Sequence, residues 1–165
     1  MTDNPIAKAF ASLFLILGIS VLPLMLVMNN VDNQARSAAE AAVQDFADNA
    51  RSTGVLTKAD FEVLKAKLQA TGYVYHVEML HRSKMAIPDD AQGYRDVYKA
   101  YNFEDISNIW EENEGIYAMK NGDFYQILIT STTPTIGSKI YAANYGGSGI
   151  TLNIPAGGMV GNKKE

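Results

Sequence analysis

Residues 8 to 50 read KAFASLFLILGISVLPLMLVMNNVDNQARSAAEAAVQDFADNA, an apolar block that runs into an alanine-rich amphipathic pattern with no turn signal between them. No charged residue lies between Lys8 and Asp32, and Ala9 to Met28 is apolar apart from Ser12, Gly18 and Ser20. About twenty such residues at 1.5 Å rise cross a hydrocarbon core of roughly 30 Å. A cleaved secretory signal would have a basic start, a shorter apolar core and a small-x-small site directly after it. Here Asp3 offsets Lys8, and LVMNNVDNQ supplies no small-x-small pair. Pro23 is tolerated in a membrane span, where it loosens the turn around it. The few flanking charges place the N-terminus inside and the rest of the chain outside.

The second half of the stretch is what a simple anchor does not need. Val31, Ala35, Ala38, Ala39, Ala42, Phe46 and Ala50 recur at three- and four-residue spacing, with Asp32, Arg36, Glu40, Gln44, Asp45 and Asp48 on the other faces. A narrow stripe of small residues lets a helix approach a sheet, or copies of itself, closely. No Gly or Pro lies between Val27 and Arg51, so span and stripe join into one expected rod of about forty residues, on the order of 60 Å long. Gly54 is expected to end it.

Beyond the rod the signals are shorter. In LTKADFEVLKAKLQATG, Thr57 is a natural N-cap with Asp60 three residues on; Phe61, Leu64 and Leu68 form a buried face and Gly72 closes the helix. Tyr73 to Leu80 alternates and is rich in β-branched and aromatic residues, so it is read as a strand. A loop to about Asp90, one or two helical turns around Tyr94 to Tyr101, and a helix from Glu104 to Glu112 burying Ile106, Ile109 and Trp110 are expected next. Asn121-Gly122 is a type I′ pair, which predicts a hairpin of Ile116–Met119 with Phe124–Thr130. After Pro134 a short helix capped at Thr135, with Ile136, Ile140 and Tyr141 inward, competes with an edge strand. A last strand is expected from Ile150 to Ile154, then a Gly-rich close. The fold class is therefore α+β, a long N-terminal helix packed on a small antiparallel sheet with short helices. Residues 1–30 form an apolar span and 31–165 a globular domain.

Composition removes several functions. The chain has 165 residues, 47% hydrophobic, which is enough for a packed core. A net charge of −4 without a Lys/Arg run gives no footprint for nucleic acid. With no cysteine there are no disulfides, thiolate metal sites or Cys nucleophiles. His76 and His81 lack the spacing of a zinc site, and Asp89, Asp90, Glu104, Asp105, Glu111, Glu112 and Glu114 lack the order of an EF-hand loop. The glycines near the end do not form a phosphate loop, since no G-x-x-x-x-G-K-[ST] occurs. No catalytic residue, cofactor or metal is expected, because no nucleophile, base and orienter can be named together.

The apolar span, the block VDNQARSAAEAAVQDFADNARSTGVLTKADFEVLKAKLQATG, the YVYHVEML strand, YAMKNGDFYQILI and the closing AGGMVGN together resemble type IV pilins and pseudopilins, and more closely the TadE-like, pilin-like membrane proteins of Gram-positive bacteria. The chain departs from the type IV pilin pattern: no Gly precedes Gly18, no Glu precedes Glu40, and Asp3 is the only early carboxylate. The resemblance implies a structural subunit of a Tad-type pilus, pseudopilus or related surface filament. Such a subunit sits in the membrane before assembly, is handled by a pilus assembly machinery, and polymerises with itself at the cell surface, where filaments serve adhesion. The expected assembly interface is Phe10, Leu13, Phe14, Leu17, Val21, Leu24 and Met28, continued by Ala35, Ala39, Ala42 and Phe46. The nine tyrosines suit subunit contacts or the domain's own core. The competing reading is a single-pass, membrane-anchored accessory or binding domain that never polymerises.

Overall fold

The computed structural model describes residues 5–89, 93–146 and 151–161. Asp3, Asp90 and Ile150, each of which carries an expectation from the sequence, lie outside the described residues. The fold is α+β, with an antiparallel sheet and several helices. The described residues form two compact units. One comprises those up to Gln34 together with those from Pro134 to Gly146; the other comprises Ala35–Thr133 and the residues from Thr151 on. The described segment Pro134 to Gly146 thus groups with the apolar N-terminal residues.

Helix α1 runs Pro5–Thr53, 49 residues, with Pro23 inside it. It is longer than the expected rod at its N-terminal end and stops where expected: Gly54 follows at φ 69° and its N–H donates to Ala50 O at 2.9 Å. A left-handed residue ends a helix without side-chain strain only when it is Gly.

In the second unit, β1 (Val55–Thr57) leads into α2 (Lys58–Gln69). The cap is the one the sequence predicts: Thr57 Oγ1 accepts from Asp60 N at 3.0 Å and donates to Asp60 Oδ2 at 2.7 Å. Phe61, Leu64 and Leu68 are buried. Strand β2 (Tyr75–Asp89) is twice the expected length and pairs with β3 (Gly93–Asn102) from Leu80↔Asn102 to Asp89↔Gly93. The helical turns expected at Tyr94 to Tyr101 are therefore strand, and the loop expected to Asp90 is strand to Asp89. The spacing of Tyr94, Tyr98 and Tyr101 imitates a helix, but tertiary pairing with β2 decides.

Helix α3 (Phe103–Glu112) starts in a capping box, Asn102 Oδ1 accepting from Asp105 N and Asp105 Oδ2 from Asn102 N, each at 2.9 Å. It buries Ile106 and Trp110 and leaves Ile109 half-buried; Trp110 Nε1–H donates to Leu56 O at 3.0 Å. Strand β4 (Ile116–Ala118) pairs with β1, while β5 (Phe124–Ser131) lies between β2 and β6 (Asn153–Met159), giving the order β3-β2-β5-β6.

The expected Asn121-Gly122 hairpin does not form. Gly122 has φ 86° and Asp123 N bonds Lys120 O at 3.1 Å, but Asn121 is not in the left-handed region, so the turn has one positive φ at its third position, the type II pattern. Type II turns do not match the twist of a two-stranded ribbon. The two strands accordingly join different sheets. The last strand also lies further along than expected, because the Gly-rich close is itself part of β6.

The core gathers one stripe of α1, the buried faces of α2 and α3 and the inner face of the four-stranded sheet. Ala39, Ala42, Val43, Phe46, Ala47 and Ala50 join Met79, Tyr125, Ile127, Ile129, Ile154 and Ala156 in a single buried cluster. The period-2 burial of β5 sends Tyr125, Ile127, Ile129 and Ser131 into it.

In the first unit, α4 (Ile136–Tyr145) is a helix capped by Thr135, whose Oγ1 accepts from Ser138 N at 3.3 Å, so the helical alternative after Pro134 holds. Ile136 is 45% exposed rather than inward, Ile140 is half-buried, and the Tyr141 side chain lies outside the described residues.

Candidate functional site

The predicted interface residues separate into two sets with opposite environments. Phe10, Leu13, Phe14, Leu17 and Leu24 are 58%, 53%, 70%, 50% and 51% exposed. Met28 is half-buried, and the Val21 side chain lies outside the described residues. Ala35, Ala39, Ala42 and Phe46 are buried, at 8%, 0%, 6% and 7%. In the folded chain Ala39, Ala42 and Phe46 belong to the protein's own core, where Phe46 lies against Phe61 of α2 with ring centroids 6.4 Å apart. Of the expected interface residues whose side chains are described, those exposed in the single chain lie in the turns before Asp32.

The physical reason is the geometry of the stripe. Small side chains at three- and four-residue spacing bring a helix axis close to whatever it packs on. Ile127, Ile129 and Ile154 of the sheet and Phe61, Leu64 and Leu68 of α2 share one buried cluster with the stripe and supply that partner within the same chain. The first half of α1 has large side chains all round instead. Ile6, Leu15, Ile16, Ile19, Leu26 and Val27 are also more than half exposed, so the apolar surface is a cylinder rather than a stripe. Hydroxyls within it can be satisfied locally, as Ser12 Oγ is by Lys8 O at 2.9 Å.

Counted over the described residues alone, no helix is long and apolar enough to cross a membrane. The side chains at 21, 22 and 25 are outside that count; in the sequence they are Val, Leu and Met, and with them the uncharged run from Ala9 to Val31 is continuous.

The buried polar cluster His81–Tyr117–Asp123 escaped sequence reasoning. His81 Nδ1 and the Tyr117 hydroxyl lie 2.6 Å apart, and Asp123 accepts from Lys120 N at 2.8 Å and Lys84 N at 3.1 Å. Tyr101 stacks on the imidazole with ring centroids 5.5 Å apart. Burial pushes Asp123 towards the neutral form, but the hydrogen bonds from Lys120, Lys84 and His81 outweigh it and hold the carboxyl below the usual range. Burial raises the Tyr117 hydroxyl above its ordinary value. These groups tie β2, β4 and the turn before β5 together, and none of them is a Ser, Thr or Cys nucleophile. Only the alternation of β2, which turns His81 to the same side as Met79, hinted at its burial.

Among the described residues no group of three or more His, Cys, Asp or Glu could hold a metal ion. Of the acids singled out in the sequence, Asp105 is engaged in the cap of α3.

No family model matches the sequence, and neither a curated protein nor a solved structure matches it.

Proposed function

We propose that this chain is a membrane-seated structural subunit of a type IV-like, Tad-type surface filament, assembled through the first half of α1. The observation that carries this reading is the contrast along one helix: after Asp32 its apolar side is buried in the chain's own core, and before Asp32 its large apolar side chains are about half exposed or more among the described residues.

Each large aliphatic or aromatic side chain left in water forgoes roughly 1.5–3 kcal/mol of burial. The cylinder around Phe10, Leu13, Phe14, Leu17 and Leu24 therefore requires an apolar surrounding. A lipid bilayer provides one before assembly, and a bundle of the same helices from neighbouring copies provides another afterwards. Exchange between the two costs little hydrophobic energy, since lipid tails and packed side chains are similarly apolar. The absence of charge between Lys8 and Asp32 makes that exchange possible in either direction. The resemblance to TadE-like and type IV pilin-like proteins supports the same reading. The domain carried by the remainder of the chain would face water outside the cell.

The test is electron microscopy of material sheared from cells expressing the chain, with the subunit mass measured in the same preparation. Filaments containing this chain, lost in Phe14→Asp and Leu17→Asp while the protein is still exported, support the reading. A chain that stays exported and single, with no filaments, makes it an anchored accessory domain instead.

A further inference from the structure

Asp32 is the first charged residue after the apolar turns of α1, and it is 9% exposed. Its Oδ2 accepts a hydrogen bond from the backbone N–H of Gly137 at 2.7 Å. Gly137 is the second residue of α4, and a Cβ there would lie 2.6 Å from Asn29 Oδ1 and 2.7 Å from Asp32 Oδ2, so a side chain would have to displace both groups. The first turn of α4 is thus held against α1 at the level of Asn29 to Asp32, and the carboxylate also complements the positive end of the α4 dipole.

That level is informative. About twenty residues at 1.5 Å span a hydrocarbon core of roughly 30 Å. Counted from Lys8, the last charge before the run, the core ends at Met28, and Asp32 lies about 6 Å further along the axis. This is the depth of the lipid headgroups. The composition of α4, IGSKIYAANY, suits that layer: two isoleucines, two tyrosines and a single charge, the exposed Lys139. Aromatic and basic residues of this kind concentrate at membrane–water boundaries.

Building on the membrane-seated reading above, we propose that α4 lies in the headgroup layer of an anionic phospholipid membrane, held there by the Asp32–Gly137 contact with Lys139 towards the phosphates. It would fix how deep α1 sits and where the water-facing part of the chain begins.

The chain has no cysteine, so single reporters can be placed without background. The full chain is reconstituted in vesicles of three parts phosphatidylcholine to one part phosphatidylglycerol, with an environment-sensitive fluorophore on Ala143→Cys or on Leu15→Cys. The Ala143 label should lose most of its emission with headgroup nitroxide lipids, and the Leu15 label with acyl-chain nitroxide lipids. Adding Gly137→Leu should free the Ala143 label from quenching and leave the Leu15 label unchanged. An unquenched Ala143 label beside a quenched Leu15 label overturns the placement of α4 alone. An unquenched Leu15 label overturns the membrane reading with it. Quenching at Ala143 that survives Gly137→Leu overturns the role given to the Asp32–Gly137 contact.

Discussion

His81 Nε2 lies 2.9 Å from Asp123 Oδ2, with the two side chains only 3% and 1% exposed. An ionised carboxylate can only accept, so Nε2 is the donor, and in the neutral ring Nδ1 then accepts from the Tyr117 hydroxyl. Residues 36 and 42 positions apart from His81 complete the chain of bonds, which fixes strands that no local signal would join.

Asp123→Ala should destabilise the second unit strongly. It leaves the Lys84 and Lys120 N–H groups and the His81 ring without their acceptor in a buried place, a loss of roughly 3–5 kcal/mol by comparison with other buried pairs that lose one partner. Urea unfolding of the full chain in detergent, followed by Trp110 fluorescence, would measure it. A midpoint within error of the wild type would contradict this role for Asp123.

Stability should also fall in acid through this carboxyl. Asp123 is held below the usual range in the folded chain, whereas the unfolded value is about 3.9. Its contribution is therefore present above the unfolded value and is lost as pH falls through the lower folded one. A pH series of urea midpoints should drop on acidification, and Asp123→Asn should flatten that part of the curve.

Two buried tyrosines should behave oppositely. The Tyr125 hydroxyl is buried and finds no hydrogen-bond partner among the described residues, so Tyr125→Phe should raise stability by about 1 kcal/mol. Tyr117→Phe removes the bond to His81 and should lower it by about 1 kcal/mol. Thermal midpoints moving in the same direction for both would be inconsistent with this assignment.

Gly157 admits no side chain. At φ 153° its Cβ would collide with Tyr125 O and lie 2.7 Å from Gln126 Cα, both backbone atoms of the paired strand. Gly157→Ala should cost about 3 kcal/mol or more, by overpacking added to backbone strain. A methyl group added at Gly161 would meet nothing within 4 Å, so Gly161→Ala serves as the near-neutral control in the same unfolding assay.

Charges on the two halves of α1 should have separable effects. Ala42→Asp puts a carboxylate in the core, so it should unfold the second unit, with a loss above about 3 kcal/mol. Phe14→Asp should leave the urea midpoint of the second unit within about 0.5 kcal/mol and act on membrane seating and assembly instead. Protease resistance of the second unit, scored beside the filament yield that the proposed function expects, distinguishes the two.

Features settled by near neighbours along the chain are legible in the sequence. Thr57 with Asp60, Gly54 at the end of α1, and the Ile106/Trp110 face of α3 follow from caps, positive φ and helical spacing, all of which act over a few residues. The strand at Tyr94 to Tyr101 is not, because its tyrosines fit a helix equally well and only hydrogen bonding to β2 selects the strand. Asn121-Gly122 misleads for a related reason: the dipeptide specifies that the chain turns, and the partners of β4 and β5 specify where it goes.

The sequence by itself determined one continuous helix, apolar all round in its first half and striped with alanine in its second, since charge and spacing along a single element require no partner to be read. What covers that stripe was decided only by tertiary structure. The alanines fit either a sheet or another helix, and the folded core supplies both: Met79, Ile127, Ile129 and Ile154, brought together by strand pairing over long sequence separations, and Phe61, Leu64 and Leu68 of α2.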